Sequence, residues 1–241
     1  MRTIAVWIIL LASITVTATG CDKDGDPVDC PEGMSGFALD GEGVCVDSTE
    51  YSNALYADFL NEFGNVCEGH ECMHTDEPGS RIHQVPEGEE GAGEWRVEPG
   101  YEEYPVVRVT FHGALEACAL LGKRLCSGEE WGRGCEGPLE TAYPYGDTYD
   151  EVACNGAIGE EDDGVPVEVG TMPGCEGGFD GLFDMSGNVY EWVSTCANGP
   201  CNIKGGSFDR PEDELTCQSA HEMDGPAGHR EDLGFRCCSD G

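Results

Sequence analysis

Gly181-Leu182-Phe183-Asp184-Met185-Ser186-Gly187-Asn188-Val189-Tyr190-Glu191-Trp192, or GLFDMSGNVYEW, is the stretch on which the fold turns. Tyr190 and Trp192, with Trp131 upstream, read as core aromatics rather than as a ligand platform. Glu191 stands between two of them, shortly after a Gly-Asn turn; its plainest reading is a buried carboxylate that braces that turn without metal, and metal binding is the alternative. The surroundings are unlike a regular α/β protein. Beyond Gly134 the chain is rich in Gly, Pro, Asp and Cys, and its apolar runs are short. Such a composition predicts loops and short strands held by cross-links.

The first half is more regular. Leu55, Phe59 and Phe63 recur every fourth residue and Gly64 follows, which predicts an amphipathic helix over 52–63. A second helix is expected from Phe111 to Leu121, with Thr110 as its cap and Gly122 as its stop. Ser127-Gly128-Glu129-Glu130 has the form of a capping box and starts a third, short helix at Trp131.

Fifteen cysteines and a net charge of −36 bound what the chain can be. Residues 1–20, MRTIAVWIILLASITVTATG, combine a basic start, an apolar run and small residues, the pattern of an export signal too short for a membrane span. Ala18-Thr19-Gly20-Cys21 resembles a bacterial lipobox, so Cys21 is the expected lipidation site and the membrane the expected partner through that lipid; plain secretion is the alternative. Setting Cys21 aside leaves an even number of cysteines, suited to disulfides in an oxidising compartment. Cys30 with Cys45, Cys67 with Cys72 and Cys196 with Cys201 could close local loops, though spacing alone does not assign pairs. Loss of Arg2 with the leader makes the exported chain more acidic still, and such a surface repels phosphate backbones, which argues against nucleic-acid binding. The segment 21–35 reads as a lipidated cysteine and acidic tether. Asp22–Asp29 is not an EF-hand, because Pro27 and Gly33 stand where Gly and the bidentate Glu are needed.

Three further blocks flank GLFDMSGNVYEW. Pro105-Val106-Val107-Arg108-Val109-Thr110 leads through the second helix to Gly122-Lys123-Arg124-Leu125 and Glu130-Trp131; Lys204-Gly205-Gly206-Ser207-Phe208 and Gly234-Phe235-Arg236 come later. In this order they resemble the sulfatase-modifying factor domain, the family of the formylglycine-generating enzyme. The resemblance runs from about Gly36 to Cys238 and implies one domain over 36–241. The implied fold is α+β, a C-type-lectin-like variant with little regular secondary structure, here disulfide-rich.

His70-Glu71-Cys72-Met73-His74 poses a separate question, because it fits the H-E-x-x-H pattern of zinc peptidases. That pattern needs a helix, and Gly69, Pro78 and Gly79 deny it one. Glu77 and Ser80 occupy the places of the Gly and third His of the extended motif. His70 and His74 are therefore expected in an exposed, cross-linked loop.

The resemblance implies chemistry that the residues do not carry through. Formylglycine-generating enzymes oxidise a protein cysteine with copper(I) held by two thiolates, placed three and eight residues after the Ser of the GGS motif. Here those places hold Arg210 and Leu215, and 208–216 contains no cysteine. An oxidase would have to use Cys217 with Cys237 or Cys238, where a disulfide is the plainer expectation. The resemblance also implies two calcium sites: one from the carbonyls of Ser186, Gly187 and Val189 with the Glu191 carboxylate, the other from Asn155, Gly156, Asp163 and Val165. The expectation is thus a non-catalytic, calcium-stabilised binding or scaffold module, exported and lipid-anchored to the cell envelope, with a protein or glycan ligand. A copper- and thiol-dependent oxidase is the alternative.

Overall fold

The computed structural model describes residues 20–21, 27–156, 164–196 and 199–241. In chain order the elements are β1 (Gly20–Cys21), β2 (Pro27–Val28), β3 (Met34–Leu39), β4 (Glu42–Asp47), α1 (Asn53–Phe63), β5 (Ile82–Gln84) and β6 (Trp95–Val97). There follow α2 (Phe111–Leu120), β7 (Arg124–Leu125), α3 (Gly128–Glu136), β8 (Tyr190–Cys196), β9 (Cys201–Lys204), β10 (Ala220–Met223), β11 (Leu233–Phe235) and β12 (Cys237–Asp240). Between α3 and β8 the described residues form turns and short 3-10 segments, as the Gly- and Pro-rich composition predicts.

Two four-stranded sheets organise the molecule. One has the order β3-β4-β12-β7, antiparallel throughout; the other has the order β10-β9-β8-β11, with β11 parallel to β8. The last two strands join the sheets, since a single residue, Arg236, separates β11 from β12. Two apolar clusters result. α1 and α2 pack on the second sheet around Tyr56, Phe59, Leu60, Trp192 and Phe235. α3 packs with the first around Phe37, Val46, Trp131, Leu182 and Val193.

Thr110 and Ser127 cap α2 and α3 as the sequence predicts, while Ser52, the first residue of the expected helix 52–63, is the cap of α1. Ser52, Thr110 and Ser127 each accept a backbone N–H from the first turn, and Glu130 completes the capping box by accepting from Ser127 N. The face of α1 differs from the expected stripe. Its buried residues are Asn53, Tyr56, Ala57, Phe59 and Leu60, whereas Leu55 and Phe63 are 48% and 47% exposed. The packing stripe follows the i, i+3, i+4 rows through Asn53, Tyr56, Ala57 and Leu60, and a count of Leu and Phe alone missed it because Tyr and Asn carry it.

Seven disulfides join all fourteen cysteines after Cys21. Cys30–Cys45, Cys67–Cys72 and Cys196–Cys201 are the local loops the spacing allowed. Adjacent strand residues point to opposite faces, so Cys237 and Cys238 reach different partners: Cys118 at the end of α2 and Cys126 ahead of α3. Cys217 pairs with Cys135 of α3. The expectation that Cys217 meets Cys237 or Cys238 is therefore corrected. The tether 22–26 and Asp163 lie outside the described residues; Cys21 pairs through its backbone with Pro27.

Candidate ligand cleft

GLFDMSGNVYEW wraps around a buried ion pair. Asp184 and Asn188 both have left-handed backbone, at φ 57° and 56°, which Asp and Asn tolerate better than other residues with a Cβ. Gly187 also has positive φ, and a Cβ on it would stand 2.2 Å from the Asn155 carbonyl oxygen. The tight path brings Glu191 beside Arg236, both fully buried. Arg236 Nε donates to both carboxylate oxygens at 2.9 and 2.8 Å and Nη2 to one at 2.8 Å, while Trp131 Nε1 donates to the other at 2.9 Å. Arg236 also donates to the carbonyls of Asp47 and Phe183. Two more buried carboxyls lie close. Glu50 accepts from Asn188 Nδ2 and from Val189 N, and burial, then Asp184, then Glu191, push its pKa well above the ordinary glutamate value.

This geometry bears on the calcium expectation. Both oxygens of Glu191 are taken by N–H donors and its charge is balanced by a guanidinium, so Glu191 does not fit as a calcium ligand. Ser186, Gly187 and Val189 precede it in the turn and are tied to other groups: Ser186 Oγ donates to the Leu215 carbonyl, Gly187 N to that of Gly205, and Val189 N to Glu50. Of the second set, Asn155 and Val165 are brought together, with Asn155 Nδ2 donating to Val165 O at 3.0 Å. Gly156 lies against Leu215. No cluster of three or more His, Cys, Asp or Glu able to hold a metal occurs among the described residues.

The place where the resemblance would put the oxidase thiolates is filled by other chemistry. Ser207 Oγ lies 2.8 Å from Asp209 and 2.9 Å from Asp232, and can donate to one of them. Arg210 pairs with Asp209 and stands 3.6 Å from Asp232, which Arg230 clasps at 2.6 and 2.7 Å. Arg230 lies over the ring of Tyr190, whose hydroxyl donates to Glu214, and His221 approaches the same carboxylate at 3.3 Å. Leu215 is buried against Gly156 and Gly206. Cys217, Cys237 and Cys238 belong to three separate disulfides, so the described structure presents no pair of thiols there.

Next to this network opens a cavity of about 640 Å³, lined by Asn53, Arg81, Tyr101, Tyr104, Phe208 and Asp209 among others. Its size falls within the range of small-ligand sites. A smaller recess of about 170 Å³, lined by Arg108, Arg210 and Arg230, continues it past Asp209 and Glu231. Asn53 belongs to the first turn of α1 and is 1% exposed; its Nδ2 donates to the Tyr101 carbonyl, but its Oδ1 has no partner. Tyr101 and Tyr104 form a tilted pair at 5.0 Å, and Arg81 lies over Tyr101 at 4.1 Å. The sequence reading did not find these residues. Asn53 carries no motif, and Tyr101 and Tyr104 sit in a loop whose only signal is aromatic content next to acids.

The HECMH segment is a loop, not a helix. Cys67 pairs with Cys72, His70 is exposed, and His74 is half-buried against His229, with ring centroids 3.5 Å apart. The two motif histidines thus stack on different partners, His70 on His112 and His74 on His229, and not around one metal.

Fold and site together describe a small, disulfide-stapled α+β domain of C-type-lectin-like type. Residues 35–241 match the sulfatase-modifying factor enzyme 1-like domain, and the chain belongs to that family. Among curated relatives it is 29% identical over 219 residues to the serine/threonine-protein kinase Pkn1 of Chlamydia trachomatis, covering 82% of this chain and 33% of that one. It is 26% identical to the formylglycine-generating enzyme of Mus musculus, covering 83% and 66%, and 30% identical to the inactive C-alpha-formylglycine-generating enzyme 2 of Bos taurus, covering 57% and 50%. The chain thus spans between a third and two thirds of the length of these relatives. PvdO from Pseudomonas aeruginosa has the same fold, with a TM-score of 0.60 at 18% identity over 94% of this chain and 99% of that one.

Proposed function

We propose that this chain is a non-catalytic member of its family, a binding module that presents the cleft between Tyr104, Phe208 and Asn53 to a protein or glycan ligand. The observation that carries this reading is the fate of the oxidase positions: Arg210 and Leu215 stand there, and every nearby cysteine is closed in a disulfide with a distant partner. The likeness to a relative described as inactive supports it, as does the occurrence of this kind of domain within a longer kinase. Intact mass after alkylation of the denatured, unreduced protein tests the first half. No adduct on any cysteine from Cys30 to Cys238 is expected. Two adducts, mapped to Cys217 and one of Cys237 or Cys238, would revive copper-dependent oxidation of a thiol and make copper(I) titration the next step.

Binding itself is tested by saturation-transfer NMR against short peptides and oligosaccharides. A ligand that saturates the protein and is lost in Tyr104→Ala supports the cleft; binding indifferent to Tyr104→Ala removes it. Seven disulfides fit an oxidising compartment, and that supports export with lipid attachment at Cys21. Incorporation of labelled fatty acid by the wild type and not by Cys21→Ala is the expected result. Calcium at Asn155, Gly156, Asp163 and Val165 belongs to the same proposal, with Asn155 and Val165 already adjacent. A fall in melting temperature on chelation, reversed by calcium, is its readout.

A further inference from the structure

Tyr143-Pro144-Tyr145-Gly146-Asp147-Thr148-Tyr149-Asp150-Glu151 gathers three tyrosines into a structure that no part of the cleft uses. Tyr143 is buried and serves as the anchor, its amide bonded to Gly146 in a tight turn and its hydroxyl directed at the Glu212 carbonyl. Tyr145 stacks on it, with centroids 5.4 Å apart and planes within 7°. Tyr149 leans on it at 5.7 Å and 49°. Tyr145 and Tyr149 are therefore inclined to one another, each held by Tyr143, and between them opens a basin of about 520 Å³ lined by Tyr145, Thr148, Tyr149, Asp150 and Glu151.

The charges around this basin are of one sign. Glu212 and Asp213 act on Tyr143, and Asp150, Glu151 and Glu212 act on Tyr149. No lysine or arginine forms an ion pair with Asp147, Asp150, Glu151, Glu212 or Asp213 among the described residues, unlike in the cleft, where Asp209, Glu231 and Asp232 each have an arginine. Burial pushes the Tyr145 phenol up to about 12, so the ring is neutral and its face electron-rich at physiological pH. Inclined aromatic faces with unpaired carboxylates at the rim suit a large, weakly hydrated cation, which is attracted to ring faces and needs no particular hydrogen-bond acceptor.

We propose that this basin binds a quaternary ammonium group, with Tyr145 and Tyr149 as its walls and Asp150 and Glu151 as its counter-charges. Such a group could come from a free choline-like cation or a trimethylated lysine, or from a phosphocholine headgroup. The acidic rim selects against the last, because the adjoining phosphate would face Asp150 and Glu151. The inference is independent of the cleft.

The test is calorimetric titration of the purified protein with choline chloride, with 3,3-dimethylbutan-1-ol as the neutral isostere and phosphocholine as the anionic comparison. Choline is expected to saturate the protein and to bind roughly tenfold tighter than the isostere, the size of a cation–π contribution, with phosphocholine weaker than choline. Tyr149→Leu should lose that preference and Tyr149→Phe should keep it. Equal binding of choline and its isostere, phosphocholine binding as tight as choline, no saturable choline binding, or a Tyr149→Leu protein that binds as the wild type would each overturn the proposal. Should Tyr149→Leu fail to fold, the wild-type comparison of choline with its isostere decides alone.

Discussion

Among the described residues Glu191 and Arg236 are the most deeply buried ion pair, and each is the other's partner. Replacing Arg236 alone by Met leaves a buried carboxylate with only Trp131 to satisfy it, at a cost of about 3–5 kcal/mol in urea denaturation. Glu191→Gln combined with Arg236→Met removes the orphaned charge, keeps an acceptor for Trp131, and is expected to recover much of the loss. Glu50 has the opposite character. Its folded pKa is raised by burial and by Asp184 and Glu191, so the folded state holds a proton that the unfolded chain releases near the ordinary value of 4.5. The sign follows from linkage: stability is greatest below 4.5 and declines as pH rises from there through the raised folded value. Glu50→Gln should flatten this part of the pH profile and raise stability at neutral pH. Glu191 was legible as a buried carboxylate only as the plainer alternative to the calcium ligand that the family resemblance implied. Its partner was not, since Arg236 lies 45 residues on and nothing local links them. Asn53 was illegible for a different reason: an orphaned acceptor is defined by what surrounds it, and a single residue letter carries none of that.

The contact between the 67–74 loop and the segment leading into β11 is the element most exposed to acid. His74 and His229 stack within it, Arg108 lies close to His229, and Glu71 and Glu77 face it from the loop. Burial, then His74, then Arg108 lower the His229 pKa below the ordinary 6.5. The neutral ring is thus the form the fold favours; its contribution is present above 6.5 and is lost as pH falls from there through the lowered folded value. This sign opposes that of Glu50, and the two are separable by variant. Backbone amide exchange over 226–232, corrected for intrinsic rates, should rise between pH 7.5 and 5.5 in the wild type and change less in His229→Phe. Equal acceleration in both would show that the stack is not the sensitive contact. Helix ends were readable here because caps are local chemistry: Thr110 and Ser127 sit within three residues of the amides they serve. Strand pairing was not. β12 joins β4 and β7 from far along the chain, and β11 lies parallel to β8 with β9 and β10 intervening in sequence.

At the scale of the whole molecule, disulfides and charge act against each other. A net charge of −36 favours expansion of the chain, and the apolar clusters are divided between two sheets. Cross-links counter this by restricting the unfolded ensemble, and their effect grows with the loop closed. Cys118–Cys237 closes 119 residues and Cys196–Cys201 only five. The chain-entropy estimate gives about 5 kcal/mol for a lone 119-residue loop and about 2 kcal/mol for a five-residue one, but Cys126–Cys238 spans nearly the same chain as Cys118–Cys237, so the two long bridges must be removed together to open the large loop. Removing both Cys118–Cys237 and Cys126–Cys238 by alanine substitution should therefore shift the denaturant midpoint far more than Cys196→Ala with Cys201→Ala, measured without reductant. Added salt should recover part of the larger loss, because it screens the self-repulsion that the long cross-links oppose. Equal losses in the two variants would place the stabilisation in packing around the sulfurs, Cys118 and Cys237 being buried in the larger cluster, and not in chain entropy. The same contrast explains why the local pairs could be guessed and the long ones could not: cysteines five or fifteen residues apart are near one another in any compact chain, whereas the partners of Cys237 and Cys238 follow from β12 setting the two on opposite faces of a sheet.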